Sequence, residues 1–174
     1  TRSQSKAATL ACTVMIVAAV SDGTSFGSGF FIGPGVICTN RHVIEGGKSF
    51  TVRMPDNSVV DANLIAASTV ADVALLSISV KDHPVMRLAN GRSVQVGDKI
   101  TAVGFPKPTG IAQMSGGSKM GELLREMEAT STFGYIAALR RKVDNTDCFQ
   151  VDLTIHHGNS GGPTIDEEGR VIGI

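Results

Sequence analysis

Net charge of either sign is missing: sixteen Lys and Arg offset sixteen Asp and Glu in 174 residues. Without a basic excess there is no electrostatic footprint for nucleic acid or for an anionic membrane, so partners have to be argued from individual sites. Cysteine is scarce too. Cys12, Cys38 and Cys148 are odd in number, widely spaced and without a Cys-x-x-Cys pair, which argues against a disulfide framework or a structural zinc site and for buried free thiols, with room for one bridge at most. Tryptophan is absent and tyrosine occurs once. No apolar run has the length of a membrane span. The nearest candidate, residues 7–20 behind Arg2 and Lys6, has the flanks of a secretory signal, but its Thr-Val-Met-Ile-Val centre is β-branched, and the expectation is a first strand over residues 11–20.

What is present is an ordinary globular composition, 42% hydrophobic and 18% charged, of a size for one domain or two small ones. Twenty glycines among many Val, Ile and Thr residues imply short strands joined by tight turns, hence an all-β fold. Taken in order, strands are expected at residues 26–32, 36–39, 50–54, 59–66 and 73–78, with Pro55-Asp56-Asn57 closing a hairpin. The pattern loosens near residue 92, which divides the chain into 1–92 and 93–174. In the second half strands are expected at 99–104, 130–139 and 148–153, and Thr164-Ile165 pairs with Val171-Ile172. Between 119 and 128 the period changes: Met120, Leu123, Leu124 and Met127 fall on one face of a short helix that Ser118 would cap.

The chemistry-bearing stretch is Gly158-Asn159-Ser160-Gly161-Gly162-Pro163. Small neighbours let the backbone turn sharply and leave the Ser160 hydroxyl exposed, but a hydroxyl attacks a carbonyl only when a base takes its proton and donors hold the oxyanion. Four histidines could be that base. His156 and His157 are too close in sequence to aim at the serine, and His83 precedes a proline in a polar loop, where it reads as a surface residue. His42 sits where the chain leaves a strand. Asp72 opens the apolar run Val73-Ala74-Leu75-Leu76, where an unpaired carboxylate would cost several kcal/mol, so an imidazole N–H is a natural partner. Each residue alone has a plainer reading as a turn, cap or solvated side chain; the order His, Asp, Ser is what raises the odds.

Six blocks in order make the chain resemble the trypsin-like, chymotrypsin-fold serine peptidases, and more closely their HtrA/Deg branch. They are Gly27-Ser28-Gly29-Phe30-Phe31-Ile32, Thr39-Asn40-Arg41-His42-Val43-Ile44, Ala71-Asp72-Val73-Ala74-Leu75-Leu76, Val96-Gly97-Asp98, Ala102-Val103-Gly104-Phe105-Pro106, and the Ser160 stretch itself. The resemblance implies two antiparallel β-barrels with the active site between them, His42 and Asp72 from the first and Ser160 from the second. Ser160 would attack, His42 would act as base and then acid, and Asp72 would orient it. The N–H groups of Gly158 and Ser160 would form the oxyanion hole, and Thr154, Ile155 and His156 would border the primary pocket; none of these three is acidic, and Ile155 suits a small aliphatic residue.

The same resemblance implies a polypeptide substrate and no cofactor or metal. It allows a homo-oligomer, and it places the compartment in the periplasm, outside the cell or in an organelle while leaving the cytoplasm open. Three departures from the branch stand out. The stretch 107–128 is longer than the matching connection and reads as a lid, a regulatory loop or a surface embellishment. The turn after Ser21 is short, so the long inter-subunit loop of some HtrA members is not expected. The chain stops at Ile174, where the family continues with a further strand and often a peptide-binding PDZ module, which suggests a cropped protease domain. Three other readings remain open at this point: an inactive protease-like scaffold, a self-processing chymotrypsin-like peptidase outside protein quality control, and a non-enzymatic β-sandwich.

Overall fold

The computed structural model describes residues 2–107, 117–143 and 146–174. Six strands form a closed antiparallel barrel: β1 (Thr13–Val20), β2 (Gly23–Gly33), β3 (Val36–Thr39), β4 (Ser49–Arg53), β5 (Val59–Ala67) and β6 (Ala74–Ser77), in the spatial order β1-β2-β3-β6-β5-β4. Strand alternation explains how β1 serves two cores at once. Val14, Ile16 and Ala18 point into the barrel, where they meet Phe31, Ile37, Val52 and Leu76. Met15 and Val17 point the other way, onto Phe26, Phe105 and Leu124. The expected hairpin between β4 and β5 turns at Asn57, whose φ of 68° is left-handed, while Asp56 Oδ1 accepts hydrogen bonds from both the N–H and the hydroxyl of Ser58. The turn between β1 and β2 is as short as expected, with Val20 paired to Gly23.

A second antiparallel sheet holds β7 (Lys99–Gly104), β8 (Thr130–Val143), β9 (Thr146–Asp152), β10 (Thr164–Ile165) and β11 (Val171–Gly173) in the order β11-β10-β7-β8-β9. It curls around Val94, Ile100 and Ile136 as a half-barrel. The protein is therefore nearly all-β, one closed barrel beside one curled sheet. Two apolar clusters join them. Cys12, Phe30 and Cys38 meet Met86, Ile165 and Val171 on one side, and Met15 and Phe26 meet Phe105 and Leu124 on the other. The thiols of Cys12, Cys38 and Cys148 are all free, and burial pushes the first two up to about 11.

Among the described residues three α-helices accompany the strands, and each differs in some respect from expectation. Residues Arg2–Cys12 form α1, so β1 begins at Thr13 and not at residue 11. Seven of its eleven residues are Arg, Gln, Lys, Ala or Leu, good helix formers, without the two-residue alternation of a strand, and the Thr13 hydroxyl closes the junction by donating to the Thr9 carbonyl at 2.8 Å. A single turn, α2 (Arg41–Ile44), carries His42. The expected helix in the second half is α3 (Gly117–Glu126), which begins before Ser118, so that residue lies inside it and is not its cap. Leu124 is buried and Met127 packs beside it, as their spacing predicts; the side chains of Met120 and Leu123, and residues 108–116 of the long connection, lie outside the described set. Among the described residues no helix is long and apolar enough to cross a membrane.

Candidate active site

His42 and Asp72 come together at the rim of the first barrel, and the local sequence explains how. The chain leaves β3 at Asn40, whose backbone is extended (φ −73°, ψ 145°) and whose side chain does not cap the turn that follows. Its amide instead reaches across to donate to the Asp72 carbonyl at 2.7 Å. On the facing side, residues 68–73 fold around Ser68: its Oγ accepts the N–H groups of Val70 and Ala71, its N–H bonds to the Val73 carbonyl, and its own carbonyl accepts a bond from Arg41 Nη1 at 3.0 Å. Two loops distant in sequence are thereby laced to each other.

The Asp72 carboxylate uses both oxygens on one residue. Oδ1 accepts the His42 backbone N–H at 2.8 Å, and Oδ2 lies 2.5 Å from His42 Nδ1. A carboxylate at neutral pH only accepts, so Nδ1 carries the proton and Nε2 is left with its lone pair. Burial pushes the Asp72 carboxyl up, the largest single influence, but the hydrogen bonds from the His42 ring and N–H and the charges of His42 and Arg41 together hold it below the ordinary aspartate value. One detail departs from the sequence reading: Asp72 stands two residues ahead of β6 and its side chain is 46% exposed, so it is paired without being buried at a strand head.

Ser160 lies on the tight loop before β10, half-buried and braced against the first barrel. Its carbonyl accepts the Ser28 N–H at 2.8 Å, and the Ser28 hydroxyl donates to the Gly158 carbonyl at 2.8 Å. Gly158 (φ 100°) and Gly161 (φ 85°) both hold left-handed backbone. A side chain at Gly161 would run into Thr39 and Ser28 and come within 3.1 Å of the Asn40 N–H, which places the loop against the segment that carries His42. Among the described residues the hydrogen-bond partner of the His42 ring is Asp72, and Ser160 Oγ is not bonded to it. Such bonds commonly tighten only when substrate is in place.

The remaining candidates fall elsewhere. Thr154, Ile155 and His156 are exposed on the loop after β9, as is His157. A cleft of about 310 Å³ lined by Ser93, Asp98, Lys99, Asp166, Arg170 and Ile172 includes none of them. His83 is not a loose surface residue: its ring stacks on Phe31 at 3.5 Å, its Nε2 accepts the Gly35 N–H at 3.0 Å, and Nδ1 donates to the Pro84 carbonyl at 3.1 Å. That makes it a prop for the turn between β2 and β3. Asn40, Ser68 and Ser28 escaped the sequence reading as site residues. Their partners lie across the fold, so no local spacing announces them.

A family model described as a trypsin-like peptidase domain matches residues 27–174. The chain is 36% identical over 154 residues to a probable periplasmic serine endoprotease, DegP-like, of Pseudomonas savastanoi pv. phaseolicola, which covers 86% of this chain and 28% of that relative. It is 36% identical over 153 residues to one of the same description from Rhizobium meliloti, covering 85% and 27%. The chain thus spans little more than a quarter of the length of these relatives. Among solved structures, the HtrA-type protease AlgW with a tripeptide superposes over 100% of this chain and 53% of that one, with a TM-score of 0.83 at 26% identity.

Proposed function

The chain belongs to the trypsin-like peptidase family, and from that membership we propose that it is a serine endopeptidase of the HtrA/Deg kind, cleaving polypeptides through an acyl-enzyme formed on Ser160. The observation that carries the reading is the double grip of Asp72 on His42, which leaves Nε2 unprotonated for base chemistry. Ser160 Oγ attacks the scissile carbonyl carbon while its proton passes to His42 Nε2. The oxyanion is received by the N–H groups of Gly158 and Ser160, each such donor lowering the barrier by about 3–4 kcal/mol. Collapse expels the amine, which takes the proton from Nε2. Water then bonds to the acyl carbon while giving a proton to the same nitrogen, and the carbon–Oγ bond breaks as Ser160 Oγ takes that proton back and the acid leaves. Thr154, Ile155 and His156 border the primary pocket in this proposal, with small aliphatic residues preferred. Homo-oligomeric assembly belongs to the same proposal.

A fluorophosphonate probe tests the nucleophile and its base together. Labelling of the native chain should vanish in Ser160→Ala and fall by at least tenfold, on the order expected for loss of a general base, in His42→Ala. Equal labelling of all three proteins would refute the assignment.

A further inference from the structure

Ser28 is fully buried, belongs to the first barrel, and makes four hydrogen bonds with fixed directions. Its N–H donates to the Ser160 carbonyl at 2.8 Å and its Oγ donates to the Gly158 carbonyl at 2.8 Å. That Oγ in turn accepts the Phe105 N–H at 2.8 Å, and the Ser28 carbonyl accepts the Thr39 hydroxyl at 2.7 Å. The hydroxyl and both backbone groups are therefore committed, and two of the bonds end on carbonyls of the loop that bears the nucleophile.

The consequence follows from peptide geometry. In a planar trans peptide the C=O of one residue and the N–H of the next point in opposite directions, so a carbonyl held on one side sends the following residue's N–H to the other. The chain contains no cis peptide among the described residues. Between His156 and Gly161 every peptide plane is held by its carbonyl or its amide. His157 O accepts the Lys107 N–H at 2.5 Å, Asn159 N–H donates to His156 O at 3.1 Å, and Asn159 O accepts the Gly162 N–H at 2.9 Å. Gly158 O and Ser160 O are held by Ser28. Among the described residues no hydrogen bond uses the N–H of Gly158 or of Ser160. These are the two donors left over, and they stand opposite the tethered carbonyls of His157 and Asn159, on either side of the plane that Ser28 holds.

Resting on the peptidase reading above, we infer that Ser28 is a positioning residue of the reaction: its hydroxyl holds the Gly158–Asn159 plane, which links the His157–Gly158 and Asn159–Ser160 planes that carry the two free N–H groups, and so keeps both aimed at one oxyanion. A glycine at φ 100° rotates easily, and the tether removes that freedom. Without it the linking plane can turn, and the planes on either side, which carry the Gly158 and Ser160 N–H groups, lose their fixed angle to each other. Ser28 also ties the loop to Phe105, at the start of the connection that leads to α3. The geometry of a site in the second half is thus fixed by a side chain of the first.

The test compares a ligand that needs the oxyanion donors with one that does not, in the full chain and in Ser28→Ala. An N-acetyl-alanyl trifluoromethyl ketone forms a hemiketal: Ser160 Oγ bonds to the carbonyl carbon, its proton goes to His42 Nε2, and the oxyanion takes the place of the transition-state charge. The matching alcohol binds without that charge. Affinity is read by protection against fluorophosphonate labelling. Ser28→Ala should weaken the ketone by about tenfold or more, a fraction of the loss from deleting a donor outright, and leave the alcohol within about twofold. If Ser28→Ala does not fold, Ser28→Cys, whose thiol is a weaker donor in the same place, carries the comparison with a smaller loss in the same direction. Equal affinity for the ketone in variant and parent, or equal weakening of both ligands, overturns the inference while leaving the peptidase reading intact. A parent chain that forms no hemiketal overturns both.

Discussion

Asp72 joins two separate demands in one carboxylate, fixing the His42 backbone with Oδ1 and its ring with Oδ2. Asn in its place keeps the size and can still accept the backbone N–H, but its amide can present a donor to Nδ1 and select the other tautomer, removing the lone pair from Nε2. The peptidase activity of Asp72→Asn should therefore fall by about 10⁴-fold in kcat, in line with the same exchange in other serine peptidases, with KM little changed; steady-state kinetics on a peptide ester read this directly. The pH dependence of stability has a definite sign. The carboxyl is held below its ordinary value in the folded chain, so the ionised form stabilises the fold above that ordinary value, about 3.9, and the contribution is lost as the pH falls through the lower folded value. The melting-temperature gap between the parent and Asp72→Asn should accordingly shrink as the pH drops below about 4. A gap unchanged down to the acid limit would contradict the assigned partners. Asp72 itself was legible because an acid before an apolar run asks for a partner. Its exposure was not, since that depends on the loop around Ser68, whose bonds to Arg41 and Val73 have no signature in spacing.

At the scale of elements, legibility followed length and period. β3 and β7 begin and end where turn chemistry brackets an apolar run, behind Gly33-Pro34-Gly35 and Gly97-Asp98. The turn α2 was invisible because four residues are too few to show a helical period, although they carry His42. The helix α1 was hidden by the stronger β-branched signal just downstream. The spacing of Leu124 in α3 and Met127 just past its end was readable, but what they pack against was not: Met15, Phe26 and Phe105 come from three separate strands or their ends. Arg53 adds to this contact, its guanidinium 5.1 Å above the Phe105 ring and donating to the Arg125 carbonyl in the last turn of α3. Leu124→Ala should then cost about 2–5 kcal/mol, read as a lower midpoint in chemical unfolding. Val96→Ala, at a side chain 62% exposed, should lie within about 0.5 kcal/mol of the parent. Equal effects of the two would mean that α3 does not dock as described.

For the whole molecule, the division of labour runs across the two sheets. The His42–Asp72 pair belongs to the closed barrel, the Ser160 loop to the curled sheet, and apolar clusters on either side of the junction hold them in register. The sequence order of the blocks sets His42 and Asp72 ahead of Ser160. What it could not announce is the set of bonds that crosses the junction, from Ser28 to Gly158 and Ser160, because residues 130 positions apart meet only after both sheets have formed. The central claim, an acyl-enzyme on Ser160 that depends on His42, is tested most directly by trapping the intermediate. The chain is mixed with an activated acyl ester, quenched in acid within the first turnover, and mapped by peptide mass spectrometry. One acyl group per chain on the peptide containing Ser160, absent from Ser160→Ala and strongly reduced in His42→Ala, is the expected result. An acyl group on another residue, or one formed equally well without His42, would contradict the account.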